Sequence, residues 1–329
     1  MSDVIDNRNR ILDLDAELKD KELQRKFLHN RAEDEKYIRD FKNGTLKVGK
    51  STRIPKLDTH WKFTPNSMDM FLGADNVGKS TWVWFVMTLG SYFHQMKWLI
   101  LSYENLIPRI KIMVIQFLLH KNVKDNLISD SEFKKAVEFV NDHFEFMRID
   151  KPITAYNCLD LATKISKLDG LVIDPYSSLL IDRDKWIGSK HDYDNEVLNQ
   201  MKIFTRDVCS IYITLHPFSE GARRAYPKDH EYAGHQMPLQ KADAEGGQKF
   251  ANRADQFTII HRMISHQERF HITELHVRKV KDYEITGIPT MLDSPVCMTY
   301  EKGGAGFADE RGQNPMHPSE QIFDQQPPF

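Results

Sequence analysis

Apolar and polar positions divide the 329-residue chain into three segments. The first, residues 1–45, is densely charged and carries a thin apolar stripe on helical spacing at Ile11, Leu14, Leu18, Leu23, Phe27, Ile38 and Phe41. A stripe this narrow cannot form a core of its own, so the pattern predicts short helices in a charged N-terminal arm. Two interpretations stay open: the arm lies solvated on its own domain, or it docks on a neighbouring subunit.

The second segment, residues 46–301, contains short apolar runs typical of buried strands. The predicted strands are 68–72, 98–102, 144–149, 171–173, 211–215, 257–261, 271–278 and one more within 289–300. Helical stretches separate the early runs, whereas the late runs follow one another closely. This order predicts an α/β fold with a mainly parallel central sheet and antiparallel strands added at one edge.

The third segment, residues 302–329, is rich in Gly, Pro, Gln and Asn and poor in apolar residues. Its composition predicts a disordered C-terminal tail. The tail ends on an aromatic residue, Phe329, with a free carboxylate, which suits capture by an apolar and basic pocket of a partner protein. An end without a binding role is the alternative.

Composition limits the protein class without selecting a partner. The net charge of -2 neither favours nor excludes nucleic acid, because binding depends on local cation clusters. Cys158, Cys209 and Cys297 lie far apart, which favours a reducing compartment and argues against a structural zinc site. No run approaches the length of a membrane span, and the acidic start is not a secretory signal. We therefore expect a cytoplasmic protein.

The strongest chemical signal is the run from residue 73 to residue 80, which fits the phosphate-loop pattern G-x-x-x-x-G-K-[ST] at every fixed position. A predicted strand precedes it and a predicted helix follows it, as the motif requires. Glycines let backbone N–H groups turn towards phosphate oxygens, Lys79 would reach the β- and γ-phosphates of ATP, and Ser80 would ligate Mg²⁺. The predicted nucleotide-binding residues are Gly73, Ala74, Asp75, Asn76, Val77, Gly78, Lys79, Ser80 and Thr81.

Three polar residues follow other predicted strands and complete a predicted ATPase site. Asp174 ends an apolar run and is the second predicted Mg²⁺ ligand. Glu104 follows the second strand and would orient and polarise the attacking water, unless it merely caps the next helix. His216 ends the strand 211–215 and would hydrogen-bond the γ-phosphate, unless it is a structural histidine.

Residues 218–253 combine cations, aromatic rings and a glycine pair, which together favour binding of single-stranded nucleic acid. The acidic residues in the same segment leave a solvated loop as the alternative. The predicted DNA contacts are Arg223, Arg224, Lys228, Lys241, Gly246, Gly247, Lys249 and Arg253. Further on, Lys279 and Lys281 alternate onto one strand face and could stabilise transition-state charge at a neighbouring subunit's site.

These motifs, in this order, resemble the RecA-type core of the DnaB/Twinkle group of hexameric replicative helicases, over about residues 52–300. The phosphate loop, Glu104, Asp174, His216 and the segment 242–255 each match a family motif, as does the strand with Lys279 and Lys281. The resemblance implies ATP and Mg²⁺ as cofactors, a ring with nucleotide between subunits, and a bacterial or phage-infected cell. Lys281 stands where an arginine is usual, and Asn66 stands where glycine is frequent. As a third departure, we expect a phage-like member without a primase domain.

The first functional hypothesis is an ATP-driven replicative DNA helicase that moves along single-stranded DNA as a ring. The alternative is a RecA-like recombinase or a DNA-dependent ATPase assembly factor that forms filaments. The expected partners are single-stranded DNA, further copies of this chain and, through the C-terminal tail, a polymerase, primase or single-strand-binding protein.

Overall fold

The computed structural model describes residues 21–22, 31–46, 48–124, 128–182 and 186–317. The chain divides into two units, Met1–Lys47 and Val48–Phe329. The first unit contains helix α1, Arg31–Lys42, which includes the last two residues of the N-terminal stripe and ends with cations that suit a helix C-terminus. The other stripe residues lie outside the described part of the chain. Docking of this arm on a neighbour therefore stays a prediction.

A nine-stranded sheet forms the centre of the second unit, in the spatial order β3-β2-β4-β5-β1-β6-β7-β8-β9. Strands β1 to β6 pair in parallel, and β7 to β9 continue the sheet in antiparallel pairing. The predicted α/β class with a mainly parallel sheet is thus confirmed. The strands are β1 Met68–Gly73, β2 Trp98–Ser102, β3 Phe144–Phe146, β4 Gly170–Asp174, β5 Ser210–Leu215, β6 Gln256–His261, β7 Ile272–Val280, β8 Val296–Tyr300 and β9 Phe307–Ala308.

Helices cover both faces of this sheet, because alternate residues of each buried strand point to opposite sides. In β1, Phe71 joins the apolar layer beneath α3, α4 and α5, whereas Met70 and Leu72 join the layer beneath α6, α7 and α8. The helices of this unit are α2 Pro55–Asp58, α3 Lys79–His94, α4 Ile107–Leu119, α5 Asp130–His143, α6 Ala155–Lys164, α7 Lys190–Asp207 and α8 Lys249–Arg253. No described helix is long and apolar enough to cross a bilayer.

The start of the predicted tail is folded, which corrects the expectation of disorder from residue 302. Phe307 lies in β9, which pairs with β8. Its buried ring lies 5.2 Å from the ring of Trp82 and 5.3 Å from the ring of Phe85, measured between centroids. Gly306, at φ +124, lets the chain turn back beneath Phe85, where a Cβ atom would come within 2.7 Å of the ring. The glycine therefore serves a tight turn. Residues 318–329, with Phe329, lie outside the described part.

Before β1, Asn66 adopts φ 60, so the turn for which glycine is frequent forms here with asparagine. The parallel strands then end at one edge of the sheet, which we call the carboxyl edge. The phosphate loop follows β1 there, and the ends of β2, β4 and β5 lie beside it, because β4 pairs with both β2 and β5 and β5 pairs with β1. The fold therefore brings Lys79, Glu104, Asp174 and His216 to the same edge, and it does not bring Lys279 and Lys281 there.

Candidate active site

The loop between β1 and α3 has the conformation that a phosphate site requires. Asn76 and Gly78 adopt left-handed φ values of 61 and 86, and buried Val77 anchors the turn between them. At Gly73 a Cβ atom would lie 3.0 Å from the Ile260 carbonyl oxygen, so only glycine fits without displacement. The N-terminus of α3 has no side-chain cap. Its first N–H groups are therefore available to anionic oxygens, as expected for a phosphate loop.

Lys79 extends from this helix into the protein, where it is 5 % exposed. Its Nζ donates to the carbonyl oxygens of Leu215 at 2.9 Å and Gly73 at 3.4 Å. Burial lowers the pKa of the ammonium, and the nearby carboxylates of Asp174 and other acids raise it. A buried cation with carbonyl partners gains strongly from a phosphate anion, which fits the predicted role.

Asp174 is completely buried at the end of β4, and its carboxylate accepts hydrogen bonds from three hydroxyl groups. Thr214 Oγ1 donates to its Oδ1 at 2.5 Å, Ser80 Oγ to the same atom at 3.2 Å, and Ser102 Oγ to Oδ2 at 3.4 Å. Burial raises the pKa of this carboxyl group, and the Thr214 hydrogen bond and the Lys79 charge oppose that rise. Paired hydroxyl and carboxylate oxygens at a phosphate loop suit Mg²⁺, which takes few protein ligands and keeps water and phosphate in its shell.

Glu104 and His216 face each other next to this site. His216 Nε2 lies 2.7 Å from Glu104 Oε1, and its Nδ1 lies 3.5 Å from Asp75 Oδ1. Glu104 is 42 % exposed, so water reaches the carboxylate. The structure thus brings together residues from four separate segments that the sequence singled out. A carboxylate beside an imidazole at a phosphate loop can hold a water molecule and sense an anion.

Sequence reasoning missed Thr214, Ser102 and Arg262. The first two are polar positions inside otherwise apolar strands that end at the carboxyl edge, which is the signal that could have found them. Arg262 directly follows β6, and its guanidinium donates to the Asn76 carbonyl oxygen on the phosphate loop. Burial lowers the pKa of this guanidinium, and its Nε is buried without a hydrogen-bond partner among the described residues. It adds a positive charge beside the loop.

Lys279 and Lys281 lie at the end of the sheet opposite the carboxyl edge, and so away from the phosphate loop of their own chain. Lys279 pairs with Phe257 at the start of β6, whereas Gly73 pairs with Ile260 near the end of β6. Lys279 Nζ donates to the carbonyls of Ala251 and Asn252, and Lys281 Nζ lies 3.7 Å from Asp255 with 66 % of its side chain exposed. Burial lowers the pKa of Lys279, the Asp255 charge opposes that shift, and neighbouring cations add to it.

The cations of the predicted DNA segment fall into two groups. Arg223, Lys228 and Arg253 are exposed and Lys241 is half-buried. Arg224, whose side chain is 37 % exposed, donates to the buried carboxylate of Asp243, and buried Lys249 donates to buried Asp194, so both cations already have an acidic partner. Phe250, an aromatic ring of the same segment, is 1 % exposed and therefore cannot stack on a base in this conformation. Gly246 and Gly247 adopt left-handed φ values of 91 and 83.

The two ends of this segment meet beside His216. Pro217 and Ala244 form an isolated antiparallel bridge, and the Glu245 N–H donates to the His216 carbonyl oxygen at 2.8 Å. Within the segment, a bridge between Ala225 and Gln236 closes a small hairpin. The segment therefore begins and ends at the residue predicted to sense the γ-phosphate.

The sheet, its covering helices and the phosphate loop define a P-loop NTPase fold. The chain superposes on the solved ATPase domain of another protein with a TM-score of 0.64 at 14 % identity, over 83 % of this chain and 95 % of that chain. It superposes on a DnaB-like replicative helicase, whose structure was described with its interactions with primase, with a TM-score of 0.64 at 13 % identity. That match covers 85 % of this chain and 66 % of the helicase chain.

These matches show a RecA-like fold, which the chain shares with a DnaB-like helicase, and the resemblance read from the motifs is confirmed at the level of the fold. No known family model matches the sequence. No curated protein matches it either.

Proposed function

We propose that the protein is an ATP-dependent helicase or translocase that acts on single-stranded DNA as a ring, with ATP between subunits. The observation that carries the proposal is the buried Asp174 carboxylate hydrogen-bonded to Ser80 at the N-terminus of α3, with Glu104 and His216 beside it. Two structural neighbours, an ATPase domain and a DnaB-like replicative helicase, support the motor, and the second of them supports its action on DNA.

The residues at the carboxyl edge divide the chemistry of hydrolysis. The phosphate loop and Lys79 bind the triphosphate and offset its charge. Ser80 and Asp174 would hold Mg²⁺, which supplies charge neutralisation at the phosphates when it is bound. Glu104 orients a water molecule towards the γ-phosphate. His216 contacts that phosphate and transmits its release to the segment 218–248, which is the part of the predicted DNA segment that precedes α8.

A second copy of the chain completes this site in the proposed ring. A six-residue strand spans about 17 Å, so Lys279 and Lys281 at its start cannot reach their own phosphate loop at its end. The same separation lets them face the loop of an adjacent copy. There they would stabilise charge on the transferred phosphoryl group, which is the proposed role of both lysines.

ATP hydrolysis with and without single-stranded DNA tests the proposal. We expect DNA to stimulate the wild type, Lys79→Ala to lose nucleotide binding, and Glu104→Gln to retain binding but lose about 10²- to 10⁴-fold in turnover. Glu145→Gln, an exposed glutamate on β3, is the matched control and should behave as wild type. Equal wild-type rates with and without DNA would contradict the proposal.

Particle shape in the presence of ATP and DNA separates the two assemblies considered from the sequence. Closed rings support the helicase, whereas open helical filaments support a recombinase or an assembly factor with the same site. Mixing Lys79→Ala with Lys281→Ala subunits tests action between copies. Mixed particles should recover part of the activity that neither variant has alone, because some interfaces then combine an intact loop with an intact Lys281.

The terminal segment that ends at Phe329 is proposed to bind a polymerase, primase or single-strand-binding protein. Removal of the last eight residues should leave ATP hydrolysis intact and weaken capture of such a partner. Unchanged partner binding by the shortened chain would remove this part of the proposal. A cytoplasmic location remains a prediction.

A further inference from the structure

A buried ion pair connects the predicted DNA segment to helix α7. Lys249 Nζ donates to Asp194 Oδ2 at 2.7 Å, and the two side chains are 8 % and 5 % exposed. Lys249 is the first residue of α8, directly after the segment 218–248, and Asp194 lies in the first half of α7. To reach a DNA phosphate, this ammonium would have to leave a buried carboxylate without its cation, which is costly. Its position therefore argues against a direct DNA contact.

The other carboxylate oxygen of Asp194 connects the ion pair to β4, the strand that ends at the proposed metal ligand Asp174. Tyr176 Oη donates to Asp194 Oδ1 at 3.0 Å, and Tyr176 lies two residues after Asp174. A carboxylate has no proton to donate, so the Tyr176 hydroxyl is the donor of this hydrogen bond and Asp194 the acceptor. One carboxylate thus binds the DNA segment on one side and the end of β4 on the other.

Ring packing reinforces this connection. The rings of Phe250 and Tyr176 meet edge to face with centroids 4.9 Å apart. Gly246 lies close to them, and a Cβ atom there would approach the Phe250 ring to 2.8 Å. The base of the segment is consequently packed against the end of β4, in addition to its hydrogen bond with His216 at the end of β5.

We propose that Lys249 is a positioning residue that couples DNA binding to hydrolysis by fixing the base of the segment 218–248, through Asp194 and Tyr176, to the end of β4. Coupling between sites is carried by packed side chains and hydrogen-bond networks of this kind. The inference rests on the proposed function, because it concerns how DNA stimulates hydrolysis at that site.

The experiment compares Lys249→Met with Lys228→Met, an exposed cation of the same segment, by two measurements. The first is the slope of log DNA affinity against log salt concentration. Loss of a phosphate contact should lower that slope by about one, which we expect for Lys228→Met and not for Lys249→Met. The second is the ratio of hydrolysis rates with and without saturating DNA. We expect it to fall by about fivefold or more in Lys249→Met.

Two further variants separate positioning from folding. Lys249→Met alone leaves the Asp194 charge buried without its cation and is destabilising. The double variant Asp194→Asn/Lys249→Met carries neither charge, and the amide oxygen still accepts the Tyr176 hydroxyl, so the fold is kept while the connection to the DNA segment is lost. We expect it to show the same reduced stimulation, and Lys249→Arg, which keeps the ion pair, to restore stimulation.

A salt slope lowered by about one in the double variant would show a phosphate contact at Lys249 and overturn the proposal. A stimulation ratio equal to that of wild type would overturn it as well. If the wild type itself is not stimulated by DNA, the proposed function fails, and amide hydrogen exchange then decides the inference. Exchange in residues 218–248 must be faster in the folded double variant than in wild type, and equal exchange would overturn the anchoring role.

Discussion

Thr214→Val tests the proposed Mg²⁺ site without changing either proposed metal ligand. Thr214 Oγ1 lies 2.5 Å from Asp174 Oδ1, and both side chains are completely buried. Valine has nearly the same shape, so the substitution removes a hydrogen-bond donor and leaves the packing unchanged. Asp174 keeps the weaker donors Ser80 and Ser102, which lie at 3.2 and 3.4 Å.

The expected effect follows from what that hydroxyl does for the carboxylate. A hydrogen bond to a charged group contributes about 1.5–3 kcal/mol. Burial already raises the pKa of Asp174, and losing the Thr214 bond raises it further, so the carboxylate holds its proton more tightly against a metal ion. Loss of such a supporting group lowers metal affinity by about 10- to 100-fold. We therefore expect the Mg²⁺ concentration for half-maximal hydrolysis to rise by about that factor.

The assay is a Mg²⁺ titration of DNA-stimulated ATP hydrolysis at fixed ATP, with thermal melting as a check on folding. Thr258→Val is the matched control. Thr258 is buried on β6, next to β1, and its hydroxyl has no hydrogen-bond partner in the described part of the protein. Its replacement should leave the Mg²⁺ requirement unchanged and should not destabilise the fold.

Equal Mg²⁺ requirements for the two valine variants would refute the reasoning, because they would show that the Thr214 hydroxyl does not support the carboxylate proposed to hold the metal. A Thr214→Val protein that melts like wild type but recovers no activity at any Mg²⁺ concentration would also refute it. That result would assign the hydroxyl a role other than support of Asp174.

Three further predictions concern stability and turnover. The pKa of Asp174 in the folded protein is raised above its ordinary value of 3.8. The contribution of this group to the stability of the metal-free protein is therefore complete below pH 3.8 and is lost as the pH rises through the folded pKa. The melting temperature of Asp174→Asn should not show that decline. Phe307→Ala should reduce the free energy of unfolding by about 3–5 kcal/mol in denaturant titrations, whereas an unstructured residue would change nothing. Lys281→Arg should raise DNA-stimulated turnover in steady-state assays, since a guanidinium binds phosphoryl oxygens in a bidentate manner; an unchanged or lower rate would argue against action on the neighbouring site.

Much of the fold was predictable because buried strands and phosphate loops leave local signals. The apolar runs place β2 with the same bounds in sequence and structure, and β1, β5 and β6 within one residue at each end. Asp174 was also predictable, because a carboxylate directly after a buried run reaches the edge where the parallel strands end. These inferences need only period, composition and spacing.

Residues whose role depends on distant partners were not predictable in this way. Lys249 reads as an exposed loop cation until the fold places Asp194 beside it, 55 residues earlier in the chain. The Gly-rich stretch before Phe307 reads as disorder, although its glycines allow a turn that returns the chain to the sheet. In both cases composition indicates an exposed, polar segment, and tertiary contacts reverse that indication.

The short helix α8 shows why these long-range contacts bear on the proposed motor. At its first residue Lys249 binds Asp194, and through Tyr176 this contact leads to the strand that ends at Asp174. Farther along the same helix, the carbonyls of Ala251 and Asn252 accept hydrogen bonds from Lys279. Because the proposed action of Lys279 is on the adjacent copy, release of those two carbonyls would have to accompany it. A shift of α8 would then affect the predicted DNA segment, strand β4 of the same chain, and the Lys279 ammonium proposed to act on the neighbouring subunit. In the proposed ring, that would give DNA bound at one subunit a physical route to two successive nucleotide sites.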